Sequence, residues 1–329
     1  MYAAVVSTFD HPPRYQEFET PIAAGPHEVL VDVVAAGLHP RVRSQADGSH
    51  YTSTDELPLV PGIDGVGRLP DGQLAYFVLP DTLMGAMAQQ TVIDRRRSIA
   101  LADGVDPLLV AAGMNPAMSS WVALRRRIHV QPGQRALILG ATGSAGRLAV
   151  QVARHLGAGQ VVAAGRNRLL LSTLPDLGAD VVVSLDGNSG DVYAKLGDAA
   201  KDVDIVLDYL WGAPAARAMT ATVTNRTDRG KALSWIQIGS VTGPTADIPS
   251  AALRAANLQI LGSGQGSVAG ADILAELPVL ATKISDGTLT VDAVGVPLSS
   301  VEAAWNEPTT PGQRIVLCPD LVAPTIQPR

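Results

Sequence analysis

The stretch "LILGATGSAGRLAV", residues 137–150, places Gly140, Gly143 and Gly146 between an apolar run and a helix-like run. The first turn of a helix leaves backbone amides without intrahelical partners, and these gather around an anion. In such a motif Gly140 ends a strand and opens a tight turn, Gly143 lets the main chain approach a pyrophosphate, and Gly146 lets the helix lie close to the sheet. This reading assigns contacts with a dinucleotide to Ala141, Thr142, Gly143, Ser144, Ala145 and Gly146. A site that prefers NAD carries a carboxylate about twenty residues further on, where it accepts bonds from the ribose hydroxyls. Here the run "QVVAAG" (160–165) ends in Gly165 and continues as Arg166, Asn167 and Arg168, with no acidic residue. Arg166 is placed to fork onto a 2′-phosphate, with Asn167 or Arg168 assisting, so the expected cofactor is NADPH. The competing reading of the same three residues is a solvated basic turn.

These residues need a scaffold that delivers a strand, a tight turn and a helix in succession. From residue 135 the chain repeats that unit: "RALILG" (135–140), "QVVAAG" (160–165), "DVVVSL" (180–185), "VDIVLDYL" (203–210), "LSWIQIGS" (233–240) and "LQILGS" (258–263) read as strands. Helical patterns at 144–158 and 168–179 lie between the first of them. Nearly continuous apolar strands alternating with helices predict a doubly wound parallel sheet covered on both faces. The first third differs. "HEVLVDVVAAGL" (27–38) alternates, and turn-rich segments follow it, which predicts a mainly β domain. A helix is expected from Pro107, ended or kinked at Pro116. The last segment, 273–319, is too short to fold alone and is expected to return to the first domain, leaving 320–329 as a loose tail. The division read from the sequence is therefore 1–115 completed by 264–329, with 116–263 as the dinucleotide-binding domain.

Composition narrows the setting. The 329 residues are 47% hydrophobic and 17% charged, enough apolar surface for a packed interior. A net charge of −6 gives no general attraction to nucleic acid or anionic membranes. Cys318 is the single cysteine, which excludes an intrachain disulfide and any zinc site built from several thiolates, and fits a cytoplasmic protein. No secretory leader or membrane-spanning run is recognised, so neither export nor a membrane partner is expected.

The order of "AVVSTFDHPP", "HEVLVDVVAAGLHP", "LVPGIDGVG" and "GATGSAGRLAVQVARHLGA", followed by a short return segment, resembles the medium-chain dehydrogenase/reductase superfamily, in its zinc-free quinone oxidoreductase branch. The resemblance covers nearly the whole chain. It implies an α/β protein with a GroES-like β-rich catalytic domain and a Rossmann domain, and an Ala at the first motif position, as at Ala141. The positions that hold catalytic zinc in related alcohol dehydrogenases fall on His39, Ile63 and Asn115, a set that cannot supply about three donor ligands. Direct hydride transfer from NADPH to a quinone or an α,β-unsaturated carbonyl remains. The resemblance turns His39 and Asn115 toward the acceptor as hydrogen-bond donors, and makes Tyr51 or His50 the proton donor. Each has an alternative: His39 satisfying a core, Asn115 breaking a helix before Pro116, Tyr51 as a loop aromatic. Trp211 and "IGSVTG" (238–243) also match positions near the cofactor, and of these Gly239 and Ser240 are assigned to it. Relatives carry a Tyr for the 2′-phosphate where this chain has Leu185, and Asp64 stands where a Glu is usual.

Two other readings stay open: a catalytically silent member that binds or senses NADPH, and an enoyl-thioester reductase. "GATGSAGR" also resembles short-chain reductases and their redox-sensing cousins, but there the loop lies near residue ten, and no Tyr-x-x-x-Lys follows here. The apolar strand 258–263 at a sheet edge predicts a homodimer.

Overall fold

The computed structural model describes residues 1–320 except 51, 188, 265 and 307–309. Tyr51 and the expected tail from Leu321 lie outside the described residues. The chain divides into two compact units, Met1–Asn115 with Leu274–Arg329, and Pro116–Ile273. The return to the first unit falls at Leu274, whereas the apolar strand pattern alone suggests 264.

The first unit opens with a two-stranded ribbon, β1 (Tyr2–Val5) and β2 (Arg14–Glu17). Its long strand β3 (Glu28–Leu38) breaks register between Val33 and Ala35. A bulge of this kind re-aims a strand and lets it change partners. Helix α1 (Pro40–Ala46) follows, then β4 (Asp64–Arg68), β5 (Leu74–Val78), β6 (Gln90–Asp94) and β7 (Ser98–Ala100). Before its bulge β3 pairs with β6 and begins its pairing with β4.

Helix α2 (Pro107–Val122) contains the division between the units and continues as a π-helical turn, Ala123–Arg127. Of the two outcomes expected at Pro116, an end or a kink, the end does not occur. Val110, Ala111, Ala112, Met114 and Ala117 are fully buried around the proline, and that burial outweighs the one hydrogen bond it cannot donate.

The second unit is a parallel sheet. Its elements are β8 (Arg135–Leu139), α3 (Ser144–His155), β9 (Gln160–Gly165), α4 (Arg168–Leu171), β10 (Val181–Ser184), α5 (Ser189–Ala199), β11 (Ile205–Asp208), α6 (Gly212–Asn225), β12 (Leu233–Gln237), α7 (Ser250–Ala255) and β13 (Leu258–Gly262). The strand order β10-β9-β8-β11-β12-β13 is that of a Rossmann fold, with its reversal between β8 and β11. The helix expected over 168–179 is only α4 and a separate turn, Pro175–Leu177. Leu174 keeps helical dihedrals, but Pro175 has no amide to donate to the Leu171 carbonyl, and the Ser172 and Thr173 hydroxyls bond back to the carbonyls of Leu169 and Leu170.

The chain then returns through α8 (Gly270–Ser285), β14 (Asp292–Pro297), α9 (Val301–Asn306) and β15 (Gln313–Cys318). These complete a seven-stranded sheet, β14-β15-β3-β4-β5-β7, with β6 on β3. Its core gathers Val5, Val33, Phe77, Met87 and Ile93 from the chain's beginning with Leu298, Val301 and Leu317 from its end. Among the described residues no helix is long and apolar enough to cross a membrane.

Phe77 is fully buried, and its ring lies over the strand positions of Gly65 and Gly67. Phe77→Ala is expected to destabilise the first unit by about 3–5 kcal/mol in urea titration. Amide exchange in the core of the second unit should stay unchanged.

Candidate functional site

The glycine turn is built by close approach. Gly140 leaves β8 at φ 84°, and its amide and that of Ala141 both donate to the Ala164 carbonyl at 2.9 Å. A Cβ on Gly146 would stand 2.2 Å from the Gly140 carbonyl oxygen and 2.7 Å from the Ala141 Cα, so only glycine lets α3 seat against the strand end. A Cβ on Gly165 would meet Thr142 at 2.6 Å. Gly143 differs. It caps α3 with an ordinary φ of −76°, and an added Cβ would meet only the Gly140 oxygen, at 3.5 Å. The protein's own packing does not require glycine there. Gly143 is exposed, and the amides of Ser144, Ala145 and Gly146 follow it as the unpartnered first turn of α3.

One strand over, β9 ends at the buried Gly165, and Arg166, Asn167 and Arg168 emerge exposed. Asn167 caps α4, its side-chain oxygen accepting from the Leu170 amide at 3.1 Å. Arg168 lies 3.3 Å from Asp186, and the two line a cavity of about 400 Å³ with Ser184, Asp191 and Lys195.

On the other side of β8, Asp208 ends β11 with its side chain fully buried. Its Oδ1 accepts from the Leu210 and Trp211 amides at 2.8 and 3.0 Å, and its Oδ2 from the Trp235 indole at 2.9 Å. Burial pushes this carboxyl above its usual range, and the three donors oppose that push. Trp211 has φ 53° and ψ −162°, a conformation that costs a residue with a side chain about 1–3 kcal/mol. Gly239 packs on the same segment, and a Cβ there would stand 2.9 Å from the Tyr209 carbonyl oxygen. Ser240 follows it and is exposed. The sequence-assigned positions 141–146, 165–168 and 239–240 thus all lie at or beyond the carboxyl ends of β8, β9 and β12.

In the first unit His39 follows β3 and precedes α1. It is 2% exposed, and its Nε2 lies 3.1 Å from Asp64 Oδ1, while Tyr76 donates to Asp64 Oδ2 at 2.7 Å. Arg314, also buried, stands near Asp64, and burial lowers its guanidinium to about 10. A carboxylate only accepts, so the ring proton of neutral His39 is on Nε2 and its Nδ1 can only accept. That geometry does not leave His39 the free donor expected from the sequence. Asn115 is half-buried on α2. Tyr51 is not described, but its neighbours are tied down: His50 Nδ1 lies 2.9 Å from Thr52 Oγ1, and Arg41 Nη2 donates to the same oxygen at 2.7 Å. Asp81 pairs with Arg41 and accepts from Thr52.

Asp208, Asp81 and Arg314 went unnoticed in the sequence. Asp208 had a signal, a lone acid closing an apolar strand. Asp81 and Arg314 meet partners far away in sequence, and no local pattern marks them.

No family model matches the chain. A probable NADPH-dependent quinone reductase of Emericella nidulans is 30% identical over 97% of this chain and 100% of its own length. A trans-enoyl reductase of Aspergillus terreus is 26% identical over 58% of this chain and 59% of its own. Among solved structures, the quinone oxidoreductase of Thermus thermophilus, determined also with NADPH, superposes with a TM-score of 0.75 at 23% identity, over 97% of this chain and 100% of the other.

Gly146→Ala forces two backbone segments apart, with an expected loss of about 1–3 kcal/mol in thermal or urea unfolding. Burial holds His39 below its usual 6.5, so the folded chain refuses a proton that the unfolded chain takes up. Stability should therefore fall as the pH drops below that value, and the urea midpoint of His39→Gln should fall less between about pH 7 and pH 5.5.

Proposed function

Because the chain belongs to the quinone oxidoreductase-like branch of the medium-chain dehydrogenase/reductase superfamily, we propose that it is an NADPH-dependent, zinc-independent reductase of quinones or α,β-unsaturated carbonyls. The observation that carries the cofactor reading is Gly143. Its bare Cα faces outward where no internal contact forbids a side chain, and the unpartnered amides of α3 follow it. Glycine is also favoured at a helix N-cap, and close contact of a ligand with this backbone gives it a further purpose; a pyrophosphate suits the amides electrostatically. The residues present fit the cofactor.

The amides of Ser144, Ala145 and Gly146 would hold the pyrophosphate, with Ala141 and Thr142 shaping the turn. Arg166, exposed beside the end of β9, would form charged hydrogen bonds with the 2′-phosphate. Arg168 assists from its exposed pair with Asp186, and Asn167 through the amide nitrogen that its capping role leaves over. Gly239 and Ser240 would border the cofactor beyond β12. The bound dinucleotide supplies a hydride, which suits an acceptor that is already electrophilic. Ile63 is aliphatic and 3% exposed, and His39 is held by Asp64, so the positions a zinc ion would need offer no ligand set.

Asn115 donates to the oxygen on which negative charge develops. His39 fixes the end of β3 through its bond with Asp64, and Tyr51 or His50 supplies the proton. The names of the relatives, a quinone reductase and a trans-enoyl reductase, support the acceptor class. The unpaired edge of β13 would join its copy in a homodimer, which light scattering tests by mass.

Arg166→Ala is expected to raise the KM for NADPH far more than that for NADH, the difference corresponding to about 1.5–3 kcal/mol of lost charged hydrogen bonding. Equal effects on both would refute the assignment. Gly143→Ala should cost only the N-cap preference, about 0.5–1 kcal/mol in thermal unfolding, while weakening NADPH binding in calorimetry. If NADPH binds but is oxidised by no quinone, enone or enoyl thioester, the protein is a binding module.

A further inference from the structure

Trp211 stands where a glycine would be free of strain. Its φ of 53° with ψ of −162° is a region that residues with side chains rarely enter. The conformation is enforced from two sides. Asp208 Oδ1 accepts the Leu210 and Trp211 amides at 2.8 and 3.0 Å. Thr242 donates its hydroxyl to the Leu210 and Trp211 carbonyls at 2.9 and 2.5 Å, and its amide to the Leu210 carbonyl at 2.9 Å. The neighbouring Gly212 also has a positive φ, 64°, and there a Cβ would meet the Thr242 oxygen at 2.7 Å. The strain does not serve to cap α6, because the Trp211 side chain makes no capping bond. Its indole is half-buried and packs against the core cluster of the second unit.

The strand order says what that indole is beside. With the pyrophosphate at the end of β8 and the 2′-phosphate at Arg166 beyond β9, the adenosine half extends toward β10. The nicotinamide half must then run the other way, over β11 and β12. Asp208 is in register with Leu139, so Trp211 and the glycine turn leave the sheet side by side. A Cβ on Gly140 would stand 3.1 Å from Leu210 and 3.3 Å from Tyr209, which brings the two turns into contact.

We propose that Trp211 is a positioning residue for the nicotinamide ring, its indole giving the flat aromatic surface against which that ring packs at the end of β11. The proposal rests on the NADPH reading above. Aromatic pairs prefer offset-stacked or edge-to-face contact, and an indole already packed against the core loses little freedom on making one. The ring is thereby held for hydride transfer by a group that takes no part in the bonds made or broken.

The test is calorimetric titration of the full chain with NADPH and, separately, with 2′-phospho-ADP-ribose, which lacks the nicotinamide. In Trp211→Gly, affinity for NADPH should fall by about threefold to tenfold, and affinity for 2′-phospho-ADP-ribose should not change. Trp211→Phe should restore most of the loss. Indole quenching by NADPH should be smaller in Trp211→Phe than in wild type. Unchanged NADPH affinity in Trp211→Gly overturns the proposal, as does an equal loss for both ligands, which would mean a displaced turn. Should the glycine variant fail to fold, Trp211→Leu keeps bulk without the flat ring and carries the same comparison. Wild-type protein that binds neither ligand overturns the NADPH reading itself, and is told apart by failing before any substitution is made.

Discussion

The start of α3 lies so near the end of β8 that a single methyl group at Gly146 would overlap the Gly140 carbonyl oxygen, and much else in the second unit follows from that approach. It turns the first amides of α3 toward the mouth of the sheet. It also sets Thr142 of the turn against Gly165, its side chain occupying the space a Cβ there would need. That contact fixes where β9 ends and where the exposed arginines begin. Anion recognition here depends on backbone groups that packing has already oriented, so little ordering remains to be done when a ligand arrives.

Across the strand reversal the device is different. There a buried carboxylate, Asp208, uses its acceptor capacity on two loop amides and one indole, holding the next turn in a shape the chain would not choose alone. A desolvated carboxylate is costly unless its acceptors are filled, and here three donors fill them. The first unit repeats the pattern with Asp64, which accepts from His39 and Tyr76 beside Arg314. In both units one fully enclosed acid organises the segment where chemistry is expected.

Much of this was legible in the amino-acid order, because the physics was local. Continuous apolar strands with intervening helices read as a parallel sheet, and the glycine spacing marked the turn after its first strand. Legibility failed where distant packing decided the outcome. At Pro116 the sequence leaves a helix end or a kink open, and burial of its neighbours carries α2 through it. The pattern at 168–179 misleads for a local reason instead: Pro175, which lacks an amide, and two hydroxyls divide what reads as one helix. His39 reads as a free hydrogen-bond donor, because nothing nearby in sequence announces Asp64 as its partner. The strain at Trp211 was invisible too, since no residue type announces a positive φ as glycine does.

The first unit is stitched from two separate segments, and β15 lies between β14 and the end of β3 in its sheet. During synthesis the second unit, a continuous segment, is therefore whole while the first still lacks two strands. The residues up to Asn115 must wait, with the apolar face of an unfinished sheet uncovered, until β14 and β15 have left the ribosome. Birth order thus separates the two halves: the nucleotide-binding half can mature early, and the half bearing His39 and Asn115 assembles only once those late strands emerge.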